Sequence, residues 1–145
     1  MKRNIVSVFK PHGRGLTQIF GTLEADIMAL VWERQAASAR DIFEALRDRG
    51  QKISYGATKT VLDRLVDKQV LYRVMDSNQY TYSAKLDRDT YTRSAIGEII
   101  DGLLAGFGTP VYAQFFDHLR STNPEELDRL EDMIKASEEQ NKDDA

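Results

Sequence analysis

The stretch from Ser54 to Lys68, SYGATKTVLDRLVDK, constrains the fold of this chain more than any other. Val61, Leu62 and Leu65, with Thr58 a turn before Leu62, recur at helical spacing and predict a helix with one face to bury. The opposite face carries Tyr55, Gly56, Lys59, Thr60 and Arg64. Cations, hydroxyls and a small residue near a helix start suit a helix laid in a DNA major groove. Cations meet phosphates, hydroxyls reach base edges, and Gly56 lets a backbone come close. Any surface helix shows cations on its polar side, so the neighbouring segments must carry the case.

Two shorter amphipathic helices precede this one and a hairpin follows. Leu23, Ile27, Leu30 and Val31 fall at i, i+4, i+7 and i+8, with Thr22 placed to cap the start. The second helix opens with Ser38-Ala39-Arg40-Asp41, where the Ser38 hydroxyl can accept the Asp41 amide hydrogen and the carboxylate suits the positive end of the helix dipole. Its stripe is Ile42, Phe43 and Leu46, and Gly50 supplies a left-handed stop. Ser54 then caps the third helix. Leu71 to Met75 and Gln79 to Ser83 read as two strands around the tip Asp76-Ser77-Asn78, with Tyr80 and Tyr82 on one face. Three helices and a strand pair in this order describe a winged helix-turn-helix.

Charge distribution fits that reading. The formal net charge is −3, which alone argues against nucleic acid. Residues 1–75, however, carry thirteen Lys and Arg against eight Asp and Glu, and the remainder seven against fifteen. A basic half joined to an acidic half is what a DNA reader with a separate assembly segment would show.

The chain has no cysteine, which excludes disulfides, thiolate metal sites and cysteine nucleophiles. His12 and His118 are its two histidines, and Asp117 beside His118 is a poor chelating pair on a helix, so no metal or cofactor is expected. No phosphate-binding glycine loop and no Ser/His pairing suggests catalysis. No apolar run reaches the roughly 20 residues that span a bilayer, and Ile5 to Phe9 behind Lys2 and Arg3 is too short for a signal peptide. The expectation is a cytoplasmic, non-enzymatic protein without membrane insertion. The basic segment 1–15 fits either a mobile terminus or an arm tracking phosphates or an adjacent minor groove.

Apolar stripes also run through the C-terminal half. Asp87 can cap a helix through Thr90 and Tyr91 to about Ala105, carrying Ile96, Ile99, Ile100, Leu103 and Leu104. Gly106, Gly108 and Pro110 break it, with Phe107 between. Thr109 caps a helix started by Pro110 that carries Val111, Phe115, Phe116 and Leu119. Asn123-Pro124-Glu125-Glu126 opens a further helix with Leu127, Leu130 and Ile134, and a charged tail from Glu138 is expected to fray. These helices carry more apolar side chains than one thin layer can cover, so a second copy of the chain is the economical partner.

From Leu23 to Ser83 the chain resembles the DNA-binding half of the penicillinase-repressor family, the BlaI/MecI/CopY type of bacterial transcriptional regulators. Leu23-Glu24-Ala25-Asp26-Ile27-Met28 with Val31-Trp32, Ala39-Arg40-Asp41-Ile42, Thr58 through Lys68, and the wing ending Tyr80-Thr81-Tyr82-Ser83 carry the resemblance. It continues more loosely to about Ser137. The resemblance implies a winged-helix repressor that dimerises through its C-terminal helices and places its third helix in an inverted-repeat operator of double-stranded DNA. The copper-responsive members carry clustered cysteines that this chain lacks. In the resistance branch a membrane sensor-protease system signals and the repressor is cut at an Asn-Phe bond; no such pair stands here around Gly97-Glu98-Ile99-Ile100.

The expected organisation is an arm over 1–15, a winged helix over 16–85, a helical dimerisation region over 86–137 and a tail over 138–145. The fold class is mainly α with a small β-hairpin. Lys52, Ser54, Tyr55, Gly56, Lys59, Thr60, Arg64 and Arg73 are the expected DNA contacts; the neutral wing tip Ser77-Asn78-Gln79 should add little. Dimerisation is assigned to Ile96, Ile99, Ile100, Leu103, Leu104, Phe107, Phe115, Phe116, Leu127, Leu130 and Ile134. The competing reading is a winged helix used as a protein-interaction module, without sequence-specific DNA binding.

Overall fold

The computed structural model describes residues 5–6 and 8–144. Lys2 and Arg3, two cations of the expected arm, lie outside the described residues. The elements run α1 (Thr22–Arg34), β1 (Ala36–Ser38), α2 (Ala39–Asp48), α3 (Tyr55–Asp67), β2 (Leu71–Asp76), β3 (Gln79–Ala84), α4 (Arg88–Phe107), α5 (Pro110–Thr122) and α6 (Pro124–Asp143), after a 3₁₀ turn at Gly15–Gln18. The chain is mainly helical with a small antiparallel sheet.

Local chemistry explains where the helices begin. Ser38 and Asp41 form a reciprocal capping box at α2: Asp41 N–H donates to the Ser38 hydroxyl at 3.1 Å, and Ser38 N–H donates to the Asp41 carboxylate at 3.0 Å. Gly50 follows α2 at φ +84°, the left-handed conformation that a Cβ disfavours. Ser54 caps α3 by accepting the Ala57 N–H at 3.0 Å, and Asp87 caps α4 by accepting the Thr90 N–H at 2.8 Å. Those two bonds with Thr90, from its amide and its hydroxyl, hold the Asp87 carboxyl below its usual range. The cap of α1 is Gly21 rather than Thr22, which is the first helical residue.

The sheet has three strands in the order β1-β3-β2, one more than the sequence predicts. Ala36 pairs with Ser83 and Ser38 with Thr81, so β1 covers the free edge of the hairpin. At the hairpin tip Ser77 and Asn78 both have positive φ, +47° and +70°. That is the backbone of a tight two-residue turn whose twist matches the flanking strands.

The chain divides into two compact units, residues up to Ile100 and residues from Asp101 on. The sequence places a boundary near 85–86; the difference lies in α4. Tyr91 and Ala95 on its first turns are buried with the winged-helix core. Tyr91 stacks on Phe20 at 5.3 Å between ring centroids and lies 5.6 Å from the Trp32 ring, and Trp32 Nε1–H donates to the Leu86 carbonyl. The core of this unit is Ile27, Met28, Leu30 and Val31 of α1, Ile42 and Leu46 of α2, and Leu62 and Leu65 of α3. The described part of the N-terminal segment is bonded within the same unit. Ile5 and Val6 N–H donate to the two Glu98 carboxylate oxygens at 2.9 and 2.8 Å, and the Tyr91 hydroxyl donates to the Ile5 carbonyl.

In the second unit α5 and α6 pack against each other. Val111, Leu119, Leu127 and Leu130 are half-buried there, but no residue of α5 or α6 is buried. Helix α4 runs through Gly106 and ends at Phe107, with Gly108 at φ +68° making the break. Thr109 precedes Pro110 without a side-chain capping bond. Helix α6 continues to Asp143, past the end expected at about Ser137. Among the described residues no helix is long and apolar enough to cross a membrane.

Candidate nucleic-acid interface

Helix α3 is held by one side and presents the other. Thr58, Val61, Leu62 and Leu65 are buried against the rest of the unit, and the buried Thr58 hydroxyl is satisfied by donating to the Ser54 carbonyl at 3.0 Å. Tyr55, Gly56, Lys59, Thr60 and Arg64 are all exposed. A Cβ added at Gly56 would meet nothing within 4 Å. The protein's own packing therefore does not require glycine there; the open space lies outside the molecule. Thr60 donates its hydroxyl to the Gly56 carbonyl at 2.9 Å, which leaves the Thr60 oxygen to face outward as an acceptor.

A groove of about 260 Å³ lies between the starts of α2 and α3 and the hairpin. Arg40, Tyr55 and Lys59 line its helical side, and Asn78, Gln79 and Tyr80 its wing side. Tyr55 meets Phe43 edge-on at 5.9 Å, with an interplanar angle of 87°. The Arg40 guanidinium sits 4.7 Å from the Tyr55 ring centroid and 5.7 Å from that of Phe43, a cation–π arrangement that orients the charge without neutralising it.

The expected DNA-contact residues are not all brought together. Tyr55 and Lys59 line the groove, while Gly56 and Thr60 stand on the outer face of α3. Lys52 is exposed on the loop before α3. Among the described residues neither Lys52 nor Lys59 has an ion-pair partner. Arg64 lies 3.6 Å from the largely buried Glu24 carboxylate, which also holds Lys68 at 3.4 Å. Arg73 is committed to Asp63 at 2.8 Å and covers the Tyr80 ring at 4.4 Å. Asp63 also accepts the Tyr82 hydroxyl at 2.7 Å. Burial, followed by the bond to Asp63, raises the Tyr82 pKa to about 12.

Arg40 is the groove cation the sequence reading did not single out. Its signal was a cation in the first turn of a helix, where the dipole disfavours positive charge. Asn78, Gln79 and Tyr80 reach the groove only through the hairpin's tertiary placement.

Comparison with known proteins places the chain in a family. A family model described as penicillinase repressor matches residues 20–136. The penicillinase repressor of Staphylococcus aureus is 22% identical over 111 residues, covering 77% of this chain and 86% of that protein. Among solved structures, the DNA-binding domain of the repressor BlaI superposes with a TM-score of 0.43 and 19% identity, over 48% of this chain and 83% of that one. A mutant of MarR from E. coli gives a TM-score of 0.42 and 15% identity, over 84% and 79%. With its model matched over most of the length, the chain belongs to the penicillinase repressor family, a family of DNA-binding winged-helix transcriptional repressors.

Proposed function

We propose that two copies of this chain bind an inverted-repeat operator in double-stranded DNA, each laying α3 in a major groove, and repress transcription from that site. The observation that carries this reading is the exposed start of α3. Gly56 faces open space, Lys59 is unpaired among the described residues, and Arg40 lines the adjoining groove with its guanidinium over the Tyr55 ring. Lys59 and Arg40 supply phosphate or guanine contacts, and Lys52 a backbone contact. The Thr60 oxygen, its proton already given to Gly56, accepts from an adenine or cytosine amino group. Arg64 reaches the duplex only by leaving Glu24, and Arg73 only by leaving Asp63.

The pairing rests on the second unit. Leu103, Leu104 and Phe107 are exposed on the last turns of α4, and Phe115, Phe116 and Ile134 on α5 and α6, two helices that bury no residue. An identical copy covers such a surface in a closed two-fold arrangement. Two-fold symmetry in the protein then selects two-fold symmetry in the DNA, with half-sites about one helical turn or a multiple apart.

The test is selection from a random-sequence duplex library followed by titration of the enriched duplex. Enrichment of an inverted repeat, with binding weakened by Lys59→Ala, is the expected result. Recovery of no preferred sequence would leave the winged helix as an interaction module and defeat the proposal.

A further inference from the structure

Helix α3 carries an anion on its wing side. Asp63 stands one turn after Lys59, and its Oδ1 accepts from both strands of the hairpin: from Arg73 on β2 at 2.8 Å and from the Tyr82 hydroxyl on β3 at 2.7 Å. Arg73 and Tyr82 are themselves cross-strand partners, so a single carboxylate oxygen ties the helix to the base of the wing. Arg73 lies over Tyr80, which lines the groove opposite Lys59.

Resting on the DNA-binding reading, we infer that Asp63 is a positioning residue: it latches the wing to the recognition helix and fixes the angle at which the two meet a bound duplex. Chemistry supports this over a direct contact. A carboxylate beside DNA repels phosphates, and its tolerable place is one where a guanidinium cancels its charge. The Asp63–Arg73 pair adds no net charge to the face. What it adds is geometry, because Tyr82 is buried in the core while Tyr80, two residues away on the same face of β3, is exposed at the groove. The carboxylate bond is therefore anchored at its Tyr82 end and transmits a fixed angle to Tyr80 and to the tip beyond it.

This role has a signed consequence that electrostatics alone does not share. Asp63→Asn removes a negative charge from a DNA-facing surface and leaves Arg73 only a neutral amide acceptor. If Asp63 acts only as a charge, the variant binds every duplex more tightly. If it positions the wing, affinity for the selected duplex falls by about tenfold, the worth of a charged hydrogen bond, while affinity for a shuffled duplex is unchanged or rises. Tyr82→Phe keeps the buried ring and the ion pair and loses one of the two bonds, so its loss of preference should be smaller. It also serves where the Asp63 variant folds poorly.

Hydrogen exchange on the free protein gives a readout independent of DNA. Amides around Ser77 and Asn78 should exchange faster in Asp63→Asn, while α1 and α2 are unaffected. A preference for the selected duplex that survives both substitutions, with an unaltered hairpin, overturns the latch alone. A wild-type chain without preference between duplexes overturns the operator reading and this inference together.

Discussion

Leu62 in α3 and Phe115 in α5 occupy comparable places in two amphipathic stripes, yet Leu62 is fully buried and Phe115 is 56% exposed. The winged-helix unit closes its core within one chain, because three helices and a sheet surround a common centre. In the second unit only α5 and α6 pack on each other, and Phe107 at the end of α4 stands 70% exposed. Apolar periodicity therefore says that a face will be covered, but not by what. Where one copy supplies enough layers the stripe becomes core; where it does not, the stripe stays exposed, and that is the surface the proposed dimer would cover.

The largest effect should come from breaking the self-sufficient side of that contrast. Leu62→Ala deletes fully buried side-chain volume and is expected to lower stability by about 2–5 kcal/mol, read by urea unfolding. On the other side, Phe115→Asp with Phe116→Asp should leave the winged-helix unit folded but raise the dimer dissociation constant by about tenfold or more, read by light scattering across concentration. A monomeric wild type at micromolar protein would break the comparison outright.

Smaller effects sharpen it at the DNA face. Lys59→Ala should weaken DNA binding about equally across sequences if it meets phosphate, with the salt slope smaller by about one per chain. Gly56→Ala separates folding from recognition. Open space around the added Cβ lets helix propensity raise stability by up to about 0.5 kcal/mol, whereas the methyl blocks close approach and lowers DNA affinity. A change confined to stability would remove Gly56 from the contact surface.

The finest test is alkaline pH. The Tyr82 pKa stands at about 12 against an ordinary value of 10.0. A folded pKa above the unfolded one means that the stabilisation is whole below pH about 10 and is lost as pH rises through 12. Tyr82→Phe should flatten part of that alkaline fall. The part from Tyr91 should persist, since burial, followed by the charges of Glu98 and Glu24, raises its hydroxyl as well.

Much of the first unit was legible because its signals are local. Capping at Ser38, Ser54 and Asp87 depends on residues three apart, and the stripes of α1 to α3 repeat within single helices. The strand β1 was not legible: Ala36-Ala37-Ser38 is three residues of low β propensity, and its strand character comes from pairing with β3. The fork of Glu98 on Ile5 and Val6 joins residues about ninety apart, with no pattern to announce it. Within the site, the polar face of α3 was readable, but the commitments of its side chains were not. For Arg64 the sequence offers a partner on its own helix, such as Asp67, whereas folding supplies Glu24, and only folding places Asp63 beside Arg73. Arg40 went unread because its importance lies in two rings that only the tertiary fold brings near it.

The central claim is that the exposed start of α3, presented twice, reads DNA sequence. It is tested most directly by titrating the full chain against its selected duplex and a shuffled duplex of equal length across a range of salt. The account predicts two chains per selected duplex and a preference that persists as salt rises and nonspecific binding falls away. Equal affinities for the two duplexes, declining together with salt, would contradict it.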